Sequence, residues 1–146
     1  MNKSWFPKAL LFFILMFGAI NAFAEHYFLY WRLLWLDMPM HFLGGIWIGL
    51  TILWVYYLSG KFKNIPENHR RISYVCIIAG TMALIMGIFW EIFELNRIST
   101  IAFKKFNGFN DTISDVLFAI GGALFSARYF INKEYYKKKE DNILEN

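Results

Sequence analysis

The sequence predicts an all-α, polytopic membrane protein with four transmembrane helices. Three observations support this fold class: 58% of the 146 residues are hydrophobic, 21% are aromatic, and the apolar residues are gathered into four long runs. With its flanking residues, each run is long enough to cross the roughly 30 Å hydrocarbon core of a bilayer as a helix. Because the runs are apolar on every face, they do not show the alternation of polar and apolar residues that barrel strands require.

We interpret the whole chain, residues 1–146, as a single integral membrane domain. The predicted spans cover about residues 5–24, 38–58, 72–95 and 112–131, and a basic tail follows over 132–146. The net charge of +4 is carried mainly at the ends of the spans and in the tail, which favours lipid headgroups over nucleic acid as the partner. Cys76 is the single cysteine, so no intrachain disulfide or cysteine cluster can form.

The first run has some features of a cleavable signal peptide. Lys3 and Lys8 precede it, and the small residues Ala22 and Ala24 follow its apolar core. We expect it to be retained as a span, because the apolar stretch is at the long end for a signal core. The next segment, residues 25–36, contains five aromatic residues, and because such rings prefer the headgroup level it is predicted to be interfacial.

The distribution of lysine and arginine predicts the orientation. Ten of these residues lie in the N-terminal segment, the second loop and the tail, against four in the other two loops. Loops rich in basic residues tend to stay on the cytoplasmic side of the membrane. We therefore expect a multi-pass protein of the cell membrane with both termini in the cytoplasm. His69 lies in the basic second loop, where we expect a solvated surface residue.

This orientation places six ionisable residues at the extracytoplasmic ends of the spans. They are Asp37, His41, Glu91, Glu94, Asp111 and Asp115. Ionisable groups at membrane depth normally face the interior of a bundle or a wet cavity. Stripes of small residues at helical spacing lead to each pair, and such stripes let helices approach closely. All of these residues except Asp111 are therefore predicted to converge on one site.

Three interpretations of this site are compatible with the sequence. The first is a structural network, in which Asp111 caps the fourth span and Arg97 pairs with Glu94. The second is a divalent metal site for magnesium, manganese, calcium, iron or zinc, with carboxylates and one imidazole as ligands. Its candidate ligands are Asp37, His41, Glu91, Glu94 and Asp115. The third is metal-free acid and base chemistry centred on His41.

Two functional classes follow from these interpretations. As an enzyme, the protein would act on a lipid-linked or envelope substrate. Its catalytic groups would be His41, Glu91 and Asp115. Arg97 would then hold an anionic group such as a phosphate. The alternative is a non-enzymatic binding, transport or assembly module. A pore is not expected, because the inner halves of the spans offer only a few hydroxyl groups.

The order of the motifs resembles that of a known group of proteins. The first motif is Asp37-x-x-x-His41-Phe42-x-Gly44-Gly45, the second is Trp90-Glu91-x-x-Glu94, and the third is Asp111-Thr112-x-x-Asp115 followed by Gly121-Gly122. Over the last three spans the chain resembles the small bacterial YjdF-like membrane proteins and, more distantly, the VanZ-like proteins. The VanZ-like resemblance implies a link to glycopeptide resistance, but those chains tend to carry Glu-x-x-Gln at the second motif.

Overall fold

The protein is described by a computed structural model that covers residues 5–62, 65–97 and 109–144. Its helices are α1 (Phe6–His26), α2 (Leu29–Arg32), α3 (Asp37–Leu53), α4 (Ile72–Arg97) and α5 (Phe109–Leu144). A 3-10 turn over Leu34–Leu36 precedes α3, a π-helical turn over Trp54–Leu58 extends it, and a second 3-10 turn over Glu67–Arg70 precedes α4.

Within the described residues, four helices are long and apolar enough to cross a membrane. The candidate spans are Phe6–His26, Asp37–Leu58, Ile72–Phe93 and Asp111–Lys133. The described part of the chain contains no strand. The predicted fold class is therefore confirmed: the protein is an all-helical membrane protein. The helix of the last span continues to Leu144, so most of the segment predicted as a basic tail is helical.

The segment predicted to be interfacial is broken into short turns. Phe28 adopts a left-handed conformation (φ 54°) between α1 and α2, which is uncommon for a residue other than glycine. The hydroxyl of Tyr30 donates a hydrogen bond to the side-chain oxygen of Asn21 at 2.5 Å, which ties α2 back onto α1. The left-handed residue Phe28 thus ends the helix of the first span before the short segments that lead to α3.

The closest helix contact joins α3 and α5. A Cβ atom on Gly45 would collide with the backbone carbonyl of Ala119, and one on Gly122 would collide with the backbone carbonyl of Phe42. A Cβ atom on Gly49 would collide with the Ser126 hydroxyl and crowd the Ala123 backbone. Small residues permit this approach of two backbones, which is their usual role between helices in lipid. The glycines thus hold the amino-terminal halves of α3 and α5 side by side.

α4 packs against this pair through a narrow stripe. Every fourth residue of α4 is buried from Val75, through Ala79, Ala83 and Gly87, to Glu91. Residues four apart lie on one helix face, so the apolar stripe ends on a buried acid. In α3, the buried residues Gly45, Gly49 and Leu53 have the same spacing, and His41 lies one turn before the first of them.

α1 lies against α3 on the outside of the bundle. The indole Nε1 of Trp47 donates a hydrogen bond to the backbone carbonyl of Leu10 at 2.9 Å, and the Phe17 ring lies beside Gly44. Most of the large apolar side chains of α1 are exposed, among them Phe12 and Leu15. Exposed apolar side chains at this density suit a hydrocarbon surrounding rather than water.

The expectation for His69 is wrong, because its side chain is half-buried among tyrosines. The Tyr56 hydroxyl and His69 Nδ1 share a hydrogen bond of 2.8 Å, and the Tyr57 hydroxyl donates to the His69 backbone carbonyl. The imidazole also stacks on Tyr74, with ring centroids 3.8 Å apart. These contacts attach the second loop to the carboxyl end of α3 and the start of α4.

Substituting Gly45 with alanine tests the close crossing. The new Cβ would lie 2.9 Å from the Cα of Ala119, so we expect Gly45→Ala to lower the free energy of unfolding by about 1–3 kcal/mol through overpacking. Thermal unfolding of the detergent-solubilised protein measures this change. Gly44→Ala is the control, because its Cβ would meet only the Phe17 ring at 3.9 Å. Equal melting temperatures for the two variants would contradict the described crossing.

Candidate functional site

The ends of three helices bring polar side chains together at one end of the bundle. Asp37 is the first residue of α3, and His41 lies one turn later. Glu91 lies near the carboxyl end of α4, and Asp115 lies near the amino end of α5. Since α4 runs antiparallel to both neighbours, the end of α4 meets the starts of α3 and α5. Four of the predicted site residues are thereby brought together.

His41 is at the centre of this group. Its Nε2 atom lies 3.5 Å from Asp37 Oδ1, 3.9 Å from Asp115 Oδ2 and 4.0 Å from Glu91 Oε1. Hydrogen bonds from nitrogen to oxygen are usually about 2.7–3.2 Å long, so all three separations exceed that range. The three carboxylates therefore surround the imidazole without forming a hydrogen bond of ordinary length to Nε2.

Three of these four side chains are largely buried. Side-chain exposure is 4% for Asp115, 8% for His41 and 10% for Glu91, whereas Asp37 is 28% exposed at the mouth. Glu91 Oε1 and Asp115 Oδ1 are buried without a hydrogen-bond partner among the described residues. Among the side chains that the structure describes, which do not include that of Arg97, no lysine or arginine forms an ion pair with these acids. Buried acids without partners are costly, so the site as described is incomplete.

Thr112 belongs to this site although it was not predicted to. Its hydroxyl donates a hydrogen bond of 2.9 Å to Glu91 Oε2 and so orients that carboxylate. Thr112 lies three residues before Asp115, and residues three apart share a helix face. That spacing is the signal by which the sequence could have revealed it.

The remaining predicted residues contribute less. α5 begins at Phe109, so Asp111 lies within its first turn and is not the cap that was expected. The Asp111 backbone carbonyl accepts a hydrogen bond from the Ser114 hydroxyl at 3.0 Å. The side chains of Glu94 and Arg97 lie outside the described residues, so the proposed roles of Glu94 as a ligand and Arg97 as an anion-binding residue stay predictions.

The geometry suits a divalent cation. Asp37, His41 and Asp115 each offer one ligand atom, and these atoms lie within 4.8 Å of one another. Ligand atoms that share an ion with bonds of about 2.1 Å lie roughly 3.0–3.5 Å apart when adjacent and about 4.2 Å apart across the ion. Bonds of about 2.4 Å, as for calcium, extend the latter distance to about 4.8 Å. The separations of 3.5 and 3.9 Å from His41 fall within these limits.

Thr112→Val tests how Glu91 is held. The variant keeps the shape of the side chain but removes the donor, which leaves both Glu91 oxygens without a described partner. We expect the free energy of unfolding to fall by about 1–3 kcal/mol. Thr81→Val is the matched control, since Thr81 is exposed on α4. If thermal unfolding showed the two variants to be equally stable, the Thr112–Glu91 hydrogen bond would not contribute to stability.

The chain was also compared with known proteins. No curated protein matches it, and no solved structure matches it. A family model described as "Predicted membrane protein (DUF2238)" matches residues 2–134, which include α1 and the whole site. The match agrees with four helices capable of crossing a membrane. The chain therefore belongs to the DUF2238 family of membrane proteins.

Proposed function

We propose that this membrane protein binds a divalent metal ion between Asp37, His41 and Asp115. One observation carries the proposal: a convergent, mostly buried set of acids surrounds an imidazole at distances too long for hydrogen bonds but suited to a shared ion. Asp115 is also short of partners, since its Oδ1 is buried without a described hydrogen bond, and a nearby cation would lower the cost of burying this carboxylate. One imidazole with two carboxylates favours manganese, iron or zinc in the divalent state.

The competing structural network has less support. A network of caps and ion pairs would satisfy the acids with donors, yet Thr112 is the one side-chain donor that the described residues offer to Glu91. Asp111 lies inside the first turn of α5, so its predicted capping role is lost. A metal ion would supply positive charge that the described side chains do not.

Metal content provides the direct test. The full chain is purified in detergent without added chelator, and its metals are measured by elemental analysis. We expect about one manganese, iron or zinc ion per chain in the wild type, and loss of most of it in both His41→Ala, which removes a ligand, and Asp115→Asn, which replaces an anionic ligand with a weaker neutral one. His26→Ala is the control, since His26 is an exposed histidine on α1.

Two results would count against the metal site. Equal metal content in His41→Ala and His26→Ala would mean that the ion is held elsewhere. A wild type without metal after incubation with each of the three ions would leave metal-free acid and base chemistry, for which His41 and Asp37 form the closest pair at 3.5 Å.

We further propose an extracytoplasmic position for the site, with both termini in the cytoplasm of a bacterial cell membrane. The ten-to-four distribution of basic residues supports this orientation. The hydrogen bond from Trp47 to Leu10 supports retention of α1 as part of a single domain spanning residues 1–146. The family match is consistent with the YjdF-like resemblance, and a distant relationship to VanZ-like proteins remains part of this proposal.

Cysteine labelling tests the orientation. Cys76 is first replaced, and single cysteines are then introduced at Asn64, between α3 and α4, or at Gly108, just before α5. An impermeant maleimide applied to intact cells should label position 108 and not position 64, because the basic second loop is retained inside. Labelling of position 64 with protection of position 108 would reverse the orientation.

The proposed reaction class is hydrolysis of a lipid-linked or envelope substrate. The site lies at the start of α3, directly after α2 and the Leu34–Leu36 turn. Trp35 in that turn is 61% exposed and Arg32 at the end of α2 is also exposed, so a substrate at the headgroup level could reach the site. Transport has less support. The buried Ser126 hydroxyl donates to the Ala123 carbonyl of its own helix, and the described core around it consists mainly of alanine, leucine and valine. A non-enzymatic binding or assembly role is the alternative.

A further inference from the structure

We infer that Glu91 is not a ligand of the proposed ion, and that its carboxylate instead binds a water molecule on a coordination position that the protein leaves open. The inference rests on the proposed metal site and deepens it. It assigns the exchangeable ligand of the ion and the residue that holds that ligand.

Distances separate Glu91 from the ligand set. Asp37, His41 and Asp115 place ligand atoms within 4.8 Å of one another, and Glu91 is not part of that set. Its Oε1 atom nevertheless lies 4.0 Å from His41 Nε2, at the edge of the cluster. A water bound about 2.1 Å from an ion can donate to a carboxylate oxygen about 2.7 Å from the water, so an acid just outside the group of ligands can contact the ion through that water.

The two oxygens of Glu91 have different surroundings. Oε2 accepts the hydrogen bond from the Thr112 hydroxyl, which fixes the plane of the carboxylate. Oε1 is buried and has no hydrogen-bond partner among the described residues, in a residue that is only 8% exposed. Buried acceptors in proteins are nearly always satisfied by a donor. A water on the ion would supply that donor.

This arrangement has a chemical consequence. Three protein ligands with a water in an open position are typical of catalytic rather than structural ion sites. In hydrolysis, the water oxygen would form a bond to the electrophilic atom of an ester while one water proton moved to Glu91 Oε1. The ester bond would then break as that proton passed to the leaving oxygen. Thr112 is a positioning residue in this scheme.

Water ligands can be counted directly. The full chain in detergent is loaded with Mn²⁺, exchanged into D₂O and studied by pulsed electron–nuclear double resonance, with Mn²⁺ affinity measured in parallel. In Glu91→Gln we expect an unchanged number of water ligands, altered deuteron couplings and an affinity loss of about tenfold, as for a residue beyond the ligands. Asp115→Asn should weaken Mn²⁺ binding by more than about a hundredfold.

Thr112→Val is the second variant. It leaves Glu91 in place but releases Oε2, so the deuteron couplings should again change while the number of water ligands stays the same. This measurement tests the inference independently if Glu91→Gln fails to fold.

The contradicting results are distinguishable. One additional water ligand in Glu91→Gln would show that Glu91 fills a coordination position, which would overturn this inference and leave the metal site intact. Deuteron couplings that match the wild type in both variants would also overturn it, because no water would then be held by Glu91. If the wild type bound Mn²⁺ no more tightly than Asp115→Asn, the proposed metal site would fail, and this inference with it.

Discussion

The backbone contact between α3 and α5 is the constraint on which the rest of the structure depends. Helices in lipid gain little from the hydrophobic effect, so their association relies on close packing. Gly45 meets Ala119 without room for a Cβ atom. His41 lies one turn before Gly45, and Asp115 lies one turn before Ala119. The separation of the imidazole from this acid is therefore set by the helix crossing rather than by attraction between the two groups.

α4 adds an acid to this pair at an energetic cost. Its stripe of alanines and Gly87 packs into the bundle, and the same periodicity carries Glu91 into a buried position. Removing an ionised carboxylate from water costs several kcal/mol even after relaxation. Packing of the apolar stripe forces this burial, so the fold concentrates negative charge where a cation would stabilise it.

The two ends of the bundle differ in how their polar groups are satisfied. At one end, Tyr56 and Tyr57 form hydrogen bonds with His69, and Tyr74 stacks on its ring. At the other end, His41 stands among carboxylates at distances of 3.5 to 4.0 Å, and buried oxygens of Glu91 and Asp115 lack described partners. The first set of polar groups is satisfied by the described residues, whereas the second includes buried oxygens that no described side chain satisfies.

The sequence by itself determined the helical class, because the length of its apolar runs is set by bilayer thickness. Helical spacing also determined that small residues lead to each acid. Only the tertiary structure decided that Thr112 holds Glu91, that Asp37, His41 and Asp115 form a closer group from which Glu91 is excluded, and that His69 is half-buried. Local periodicity gives the face on which a residue lies, but the distance between faces depends on how closely the backbones approach and how each helix is rotated, which no single segment encodes.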